Sequence, residues 1–460
     1  MSLKKHISVW SLVMINLAVL GGIRTWAPMA EAGFSAVFFL CLGVLAFFLP
    51  ASLISAELAT TWPQAGGVYV WVKRAFGHKW GFLAIWFLWI QNVIWYPTIL
   101  AFIAGTLTFA FDPSLVQSKI YMVTLILAIF WTTTLINLKG IKVSTWISSM
   151  GAICGTFIAS ILIIVFGLIW YWNGNPIEIV FSWDSLIPQM NSTSQWALFG
   201  GIMVSLLGIE MSAVHASEVD NPQKNYPRAI LFSSIFVILF SILGVISIAM
   251  VVPQSQLVLS AGPVQAFEFF LTAYGLKSLL PLMAVVVALG GIGSMSAWVV
   301  GPCTGLLAAA QQGDLPASLK VTNARGVPKN LLLFQAIIVT ALSFLFLLMP
   351  TLNSAYWMLI VLTTQLYLMM YFLLFAAAIQ LRHTHPDTHR PFRVPGGKIG
   401  MWSLAIVGLL SSLFGWVICF FPPHQLHAGS ELRYILFLGV MIVIFSTIPF
   451  WLKKKFTQLK

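Results

Sequence analysis

The sequence predicts an all-α integral membrane protein with twelve transmembrane helices, the first and the sixth of them discontinuous. Three observations carry this expectation. Of 460 residues, 59% are hydrophobic and only 36 (24 Lys or Arg, 12 Asp or Glu) are charged, which leaves no polar coat for a soluble fold. Apolar runs that meet the length of about 20 residues needed to cross a bilayer recur twelve times. Two of those runs contain helix-interrupting residues: two glycines and a proline in LAVLGGIRTWAPMAEAG, and a glycine and an Asn-Pro stop in SLLGIEMSAVHASEVDNP.

In chain order the runs lie near residues 8–31, 34–60, 80–111, 118–138, 144–172, 193–217, 226–252, 276–311, 329–349, 353–380, 401–421 and 431–452. Those at 80–111 and 276–311 are longer than a bilayer requires and imply tilted helices. The chain reads as one transmembrane domain over 1–460: a five-helix repeat at 8–172, a second, inverted repeat at 193–380 and two peripheral helices at 401–452. With the N-terminus inside, twenty Lys and Arg fall in cytoplasmic segments and three (Lys119, Lys277, Arg433) on the opposite face, Arg24 being left inside a span. Both termini are therefore expected in the cytoplasm. The net charge of +12 follows from this distribution and points to membrane lipid, with no nucleic-acid partner. No cleavable signal peptide is expected ahead of the first span. Cys41, Cys154, Cys303 and Cys419 are scattered through apolar runs and read as packing residues, so neither a disulfide framework, a metal nor a cofactor is expected.

Two segments outside the spans have character of their own. WPQAGGVYVWVKRAFGHKW, residues 62–80, sets Val68, Val70, Trp71 and Phe76 against Lys73, Arg74, His78 and Lys79, the pattern of a short helix lying in the membrane interface. RHTHPDTHRPFRVPGGKIG, residues 382–400, reads as a hinge-like joint ahead of the last two spans. Its histidines in one short run are weak evidence for a metal.

Charge inside a span is costly and usually functional, which makes the candidates few. Arg24, Glu57 and Glu210 are the charges most clearly inside, with Gln91, Asn92, Tyr96 and Gln365 as polar company. Arg24 has two readings: near the outer interface it can snorkel to water, or it faces an internal cavity. Gly21 and Gly22 shortly before it, and Pro28 after it, predict a helix break with backbone groups freed from pairing. Gly208, two residues before Glu210, predicts a counterpart in span six. Interruptions at matching places in two five-helix halves are the mark of an inverted-repeat transporter, with its substrate at the breaks. A half-helix that starts after Gly22 aims free N–H groups at a carboxylate, and the half-helix that ends at Ser205, Leu206 and Leu207 offers carbonyls to an ammonium. That pairing favours a zwitterion over a sugar or an inorganic ion. Glu210 reads as a helix cap or as a proton carrier, with His215 a second titratable candidate. Glu57 reads as a structural tie to a neighbouring loop. Tyr96 and Trp298 are candidate substrate contacts.

LGGIRTWAPMAEAG, AELATTWPQAGGVYVWVKRAFG, WIQNVIWYPTILAF, LLGIEMSAVHASEVDNPQKNYPRA and SAWVVGPCTGLLAAAQQGDLP, in that order, resemble the amino acid, polyamine and organocation (APC) transporter superfamily, and within it the bacterial glutamate:GABA antiporter branch. The resemblance covers most of residues 8–330 and implies a LeuT-like 5+5 inverted-repeat core with two peripheral helices, in a bacterial inner membrane, as monomer or homodimer. It implies that Gly21, Gly22 and Ile23 hold a substrate carboxylate, that the Ser205 to Leu207 carbonyls hold an amine, that Trp298 is an aromatic wall and that Glu210 senses protons. Three departures qualify it. SSMGAICGTFIAS in span five lacks the lysine that replaces sodium in some relatives; the short basic tail gives no plug of the kind that gates the acid-resistance exchanger; and Val204 stands where arginine exchangers have a gating tryptophan.

The expected function is thus amino acid transport by exchange for an amine or another amino acid, glutamate, glutamine and GABA being the favoured substrates. A proton-coupled uptake permease and an arginine or polyamine exchanger are the alternatives. An enzyme is not expected, since no HExxH, CxxC or GxSxG motif occurs. Twelve dissimilar spans also argue against a channel built from symmetric subunits.

Overall fold

A computed structural model describes residues 8–20, 22–64, 66–139, 155, 157–189, 192–210, 221–423 and 430–457. Among these the structure is all-helical, and nine helices are long and apolar enough to cross a membrane. Runs one, five and six give no such helix among the described residues. Run one is split into α1 (Val9–Leu20), a 3-10 turn at Ile23–Thr25 and α2 (Trp26–Ala30). The first part of run five, residues 144–154 and 156, lies outside the described residues, and the rest includes a helix at Ala159–Trp172. The helix of run six ends after 14 residues, and residues 211–217, with His215, lie outside the described residues.

The long helices are α3 (Ser35–Thr61), α5 (His78–Thr108), α6 (Lys119–Leu138), α9 (Pro222–Val251), α11 (Leu280–Gln311), α12 (Lys329–Ser343), α13 (Leu352–Thr384), α14 (Gly397–Ile418) and α15 (Glu431–Thr457). Between them lie α4 (Val68–Phe76), α7 (Ala159–Trp172), α8 (Thr193–Leu206) and α10 (Gly262–Ala273). The helix α5 is apolar on every face, and its most apolar stretch is fully buried. A helix with no polar stripe belongs in the middle of a bundle, and α5 packs against both α11 and α13. By contrast α14 and α15 are 33% and 28% buried over their apolar windows, as helices at the edge are.

Small residues set the close crossings. A Cβ at Gly244 of α9 would stand 2.1 Å from the Trp26 ring, so glycine there lets α2 lie against α9. Asn16 of α1 donates to Ser233 of α9 at 2.9 Å, with both residues buried. Ser233→Ala should lower stability by about 1 kcal/mol, the worth of one such bond in a membrane bundle, read as a small fall in apparent melting temperature. Cys303 and Cys419 are packing residues as expected, whereas Cys41 is exposed; Cys154 lies outside the described residues.

The interfacial segment forms α4, with Val68, Tyr69, Trp71 and Val72 buried. Tyr69 donates to Gln312, at the end of α11, at 2.6 Å, and Lys73 donates to the same oxygen at 2.5 Å. Burial, with the Asp314 carboxylate adding to it, pushes the Tyr69 hydroxyl up to about 12, so it stays a donor. Glu57 is the tie the sequence suggested. Its carboxylate pairs with Arg382 at 2.5 Å and Arg390 at 3.0 Å and accepts from the Val394 N–H at 2.7 Å. The joint at 382–400 is therefore pinned to α3 at a buried carboxylate, a stiffer arrangement than a free hinge. Among the described residues no group of three metal-binding side chains occurs there or elsewhere.

Candidate functional site: a cavity at two helix breaks

The first break follows from Gly22, whose backbone is extended (φ −66°, ψ 116°) rather than helical. The helix restarts with Thr25, whose N–H bonds to the Gly22 carbonyl at 3.0 Å and whose hydroxyl reaches the same oxygen at 2.8 Å. The N–H groups ahead of that bond, on Ile23 and Arg24, are those a helix start leaves without intrahelical partners. Pro28 is not the breaker: it sits in the first turn of α2, where its missing N–H costs little. Gly21 lies outside the described residues.

The second break closes α8. Leu206 is its last residue, Leu207 turns extended (φ −81°, ψ 146°), and Gly208 takes φ +113°, a region open to glycine alone. The last carbonyls of α8 thereby lose the turn that would have bonded them. At the far end of the run, Asn221 is left-handed (φ +43°) immediately before α9 starts at Pro222.

The two breaks face one common cavity. Gly22, Arg24 and Thr25 line it from the first break, and Val204, Ser205 and Leu207 from the second. Gln91, Asn92 and Trp95 come from α5, Ser294 and Trp298 from α11, and Thr363 and Tyr367 from α13. Ile23, Leu206 and Tyr96 are buried beside the cavity and not among its lining side chains. Gln365 holds α14 instead, through the Trp416 carbonyl at 3.2 Å.

Arg24 faces the cavity rather than snorkelling. Its guanidinium lies 4.7 Å from the centroid of the Trp95 ring, and among the described residues no carboxylate pairs with it. A cation–π contact is worth up to about 2 kcal/mol, whereas taking a charge out of water costs several. The Tyr356 hydroxyl is a second polar neighbour but brings no ionic partner, so the cation is under-compensated, and an anion in the cavity would complete it.

Glu210 is 3% exposed just after the second break. Tyr367 and Tyr371, one turn apart on α13, donate their hydroxyls to its two carboxylate oxygens, and the Tyr371 hydroxyl accepts from the Gly208 N–H at 3.1 Å. Tyr367 also lines the cavity, so one side chain joins the cavity to the carboxylate.

Residues 7–445 match the amino acid permease family. The chain belongs to that family. It is 40% identical to an uncharacterized transporter of Legionella pneumophila, over 98% of this chain and 97% of that one. It is 32% identical to the glutamate/gamma-aminobutyrate antiporter of Lactococcus lactis, over 97% and 90%. A probable agmatine/putrescine antiporter of Lactococcus lactis is 28% identical, over 89% and 88%. This amino acid permease is accordingly a multi-pass membrane transporter for amino acids or amines, with bacterial relatives, and not an enzyme.

Sequence reasoning missed Thr25, Trp95, Ser294, Thr363, Tyr367 and Tyr371. For the two tyrosines a faint signal exists, their spacing of four on one helix face, but nothing in the sequence links that face to Glu210.

Proposed function

We propose that this permease is an alternating-access antiporter exchanging an amino acid for a related amine or amino acid, with glutamate, glutamine and GABA as its substrates. In this reading the twelve spans form a LeuT-like core of two inverted five-helix repeats and two peripheral helices, in a bacterial inner membrane with both termini in the cytoplasm. The observation that carries the substrate class is the under-compensated Arg24 guanidinium in a cavity between two helix breaks.

The α-carboxylate sits on the N–H groups at the first break, those of Gly22, Ile23 and Arg24, where the half-helix dipole adds to them. The ammonium sits on the carbonyls of Ser205, Leu206 and Leu207. A second carboxylate, or the single carboxylate of GABA, meets Arg24, and Trp298 covers the apolar stem. The same cation opposes arginine and polyamines, whose extra positive charge it would repel, and the 32% identity to a glutamate/GABA antiporter points the same way. The chain acts as monomer or homodimer, with lipid as its surroundings.

Uptake of labelled glutamate into liposomes holding the purified protein tests this. Uptake should be saturable and should accelerate when glutamate, glutamine or GABA is loaded inside. A rate indifferent to internal substrate would remove exchange, and single-channel current would remove the carrier. Glu210, clasped by two tyrosines beside the cavity, favours one second reading, uptake driven by a proton. Labelled uptake that rises with an inward proton gradient and empty liposomes would select it.

A further inference from the structure

The carbonyl of Trp298 lacks the usual α-helical donor in its own helix. In an α-helix the carbonyl of one residue accepts from the N–H four residues on, and four residues after Trp298 stands Pro302, inside α11, with no N–H to give. Inside a bilayer-spanning bundle a freed carbonyl must find another donor. It finds two on α5. The Tyr96 hydroxyl donates to it at 2.8 Å and the Asn92 side-chain amide at 3.3 Å, and that amide also donates to the Tyr96 hydroxyl at 2.7 Å.

The same stretch of α5 holds the cavity's cation. Trp95, next to Tyr96, lies under the Arg24 guanidinium and stands 6.0 Å from the Trp298 ring, tilted by 50°. A helical hydrogen bond would fix Trp298 to α11 alone. The proline moves that bond to α5, so the aromatic side of the cavity and its guanidinium take their positions from one helix turn.

We propose that Tyr96 and Asn92 are positioning residues that set the placement of Trp298 against the substrate, through the carbonyl that Pro302 leaves free. This rests on Trp298 being the substrate's aromatic wall. Tyr96 then acts without touching substrate, consistent with its full burial beside the cavity.

Binding of L-glutamate and GABA, titrated by thermal stabilisation of the full-length protein, tests it. Tyr96→Phe keeps the ring and loses the donor, and should weaken binding about three- to tenfold, as loss of one hydrogen bond does. Pro302→Ala supplies an N–H for the Trp298 carbonyl. Alone it should bind as the parent does, and combined with Tyr96→Phe it should restore the lost affinity. Unchanged affinity in Tyr96→Phe, a loss that Pro302→Ala does not repair, or a loss in Pro302→Ala alone each overturns the inference. Asn92→Val removes the other donor and carries the same rescue test if Tyr96→Phe does not fold. Trp298→Leu separates this inference from the reading beneath it: parent-like binding there means that Trp298 is no wall, whatever Tyr96 does. If the parent binds neither probe, the apparent melting temperatures decide. A fall in Tyr96→Phe that the double variant recovers supports the exchanged hydrogen bond, and a fall it does not recover, or none, overturns it.

Discussion

Arg24→Ala should raise the KM for glutamate about 10- to 100-fold while moving that for glutamine by less than about threefold, since a charge-assisted hydrogen bond is worth about 1.5–3 kcal/mol and each 1.4 kcal/mol is tenfold. The selectivity is the test. Glutamate and glutamine share the α-carboxylate and the ammonium, which both helix breaks would hold alike, and differ only where Arg24 reaches. The contact over Trp95 at 4.7 Å offsets part of the cost of burying the guanidinium, and a substrate carboxylate would supply the rest. The same variant should therefore not lose apparent stability in the absence of substrate, because a buried charge without an ionic partner contributes little to the fold. Equal KM changes for the two substrates, or none, would mean that Arg24 does not read the substrate side chain.

What the sequence disclosed about this site depended on rarity. A guanidinium or a carboxyl in an apolar run stands out, so Arg24, Glu57 and Glu210 could be found one by one. The breaks were legible as well, because a glycine pair before Arg24 and a glycine before Glu210 have few uses inside a span. Their detail was less so: Pro28 reads as part of the interruption, yet in the structure it opens the resumed helix. Which face of α5 meets the cavity was legible only in part, through the polar Gln91 and Asn92, both of which line it. The aromatic and aliphatic residues of that helix form no hydrophobic stripe, so nothing says that Trp95 lines the cavity while Tyr96 lies behind it. Tyr367 and Tyr371 were hidden for another reason. Each looks like one more aromatic in a membrane helix until the fold brings it to a carboxylate 157 or 161 residues away.

Glu210→Gln should remove the pH dependence of exchange and leave a folded, substrate-binding protein. The carboxylate holds two tyrosine hydroxyls, each charge-assisted bond being worth about 1.5–3 kcal/mol, against a desolvation cost of several kcal/mol for the buried charge. The hydroxyls offset only part of that cost, so a change in the surroundings of Glu210, such as a substrate seated against Tyr367, can alter whether it holds a proton. Protonation turns one carboxylate oxygen from acceptor to donor, which loosens the clasp on Tyr367 and Tyr371 and, through Tyr371, the Gly208 N–H at the second break. Glutamine fixes the uncharged shape at every pH, so the exchange rate in liposomes should become flat across the range in which the parent's rate varies. If the variant keeps the parent's pH profile, the coupling proton resides elsewhere and the tyrosine clasp is structural. If Tyr367→Phe also flattens the profile while Tyr371→Phe does not, the link runs through the cavity-lining hydroxyl rather than through Gly208.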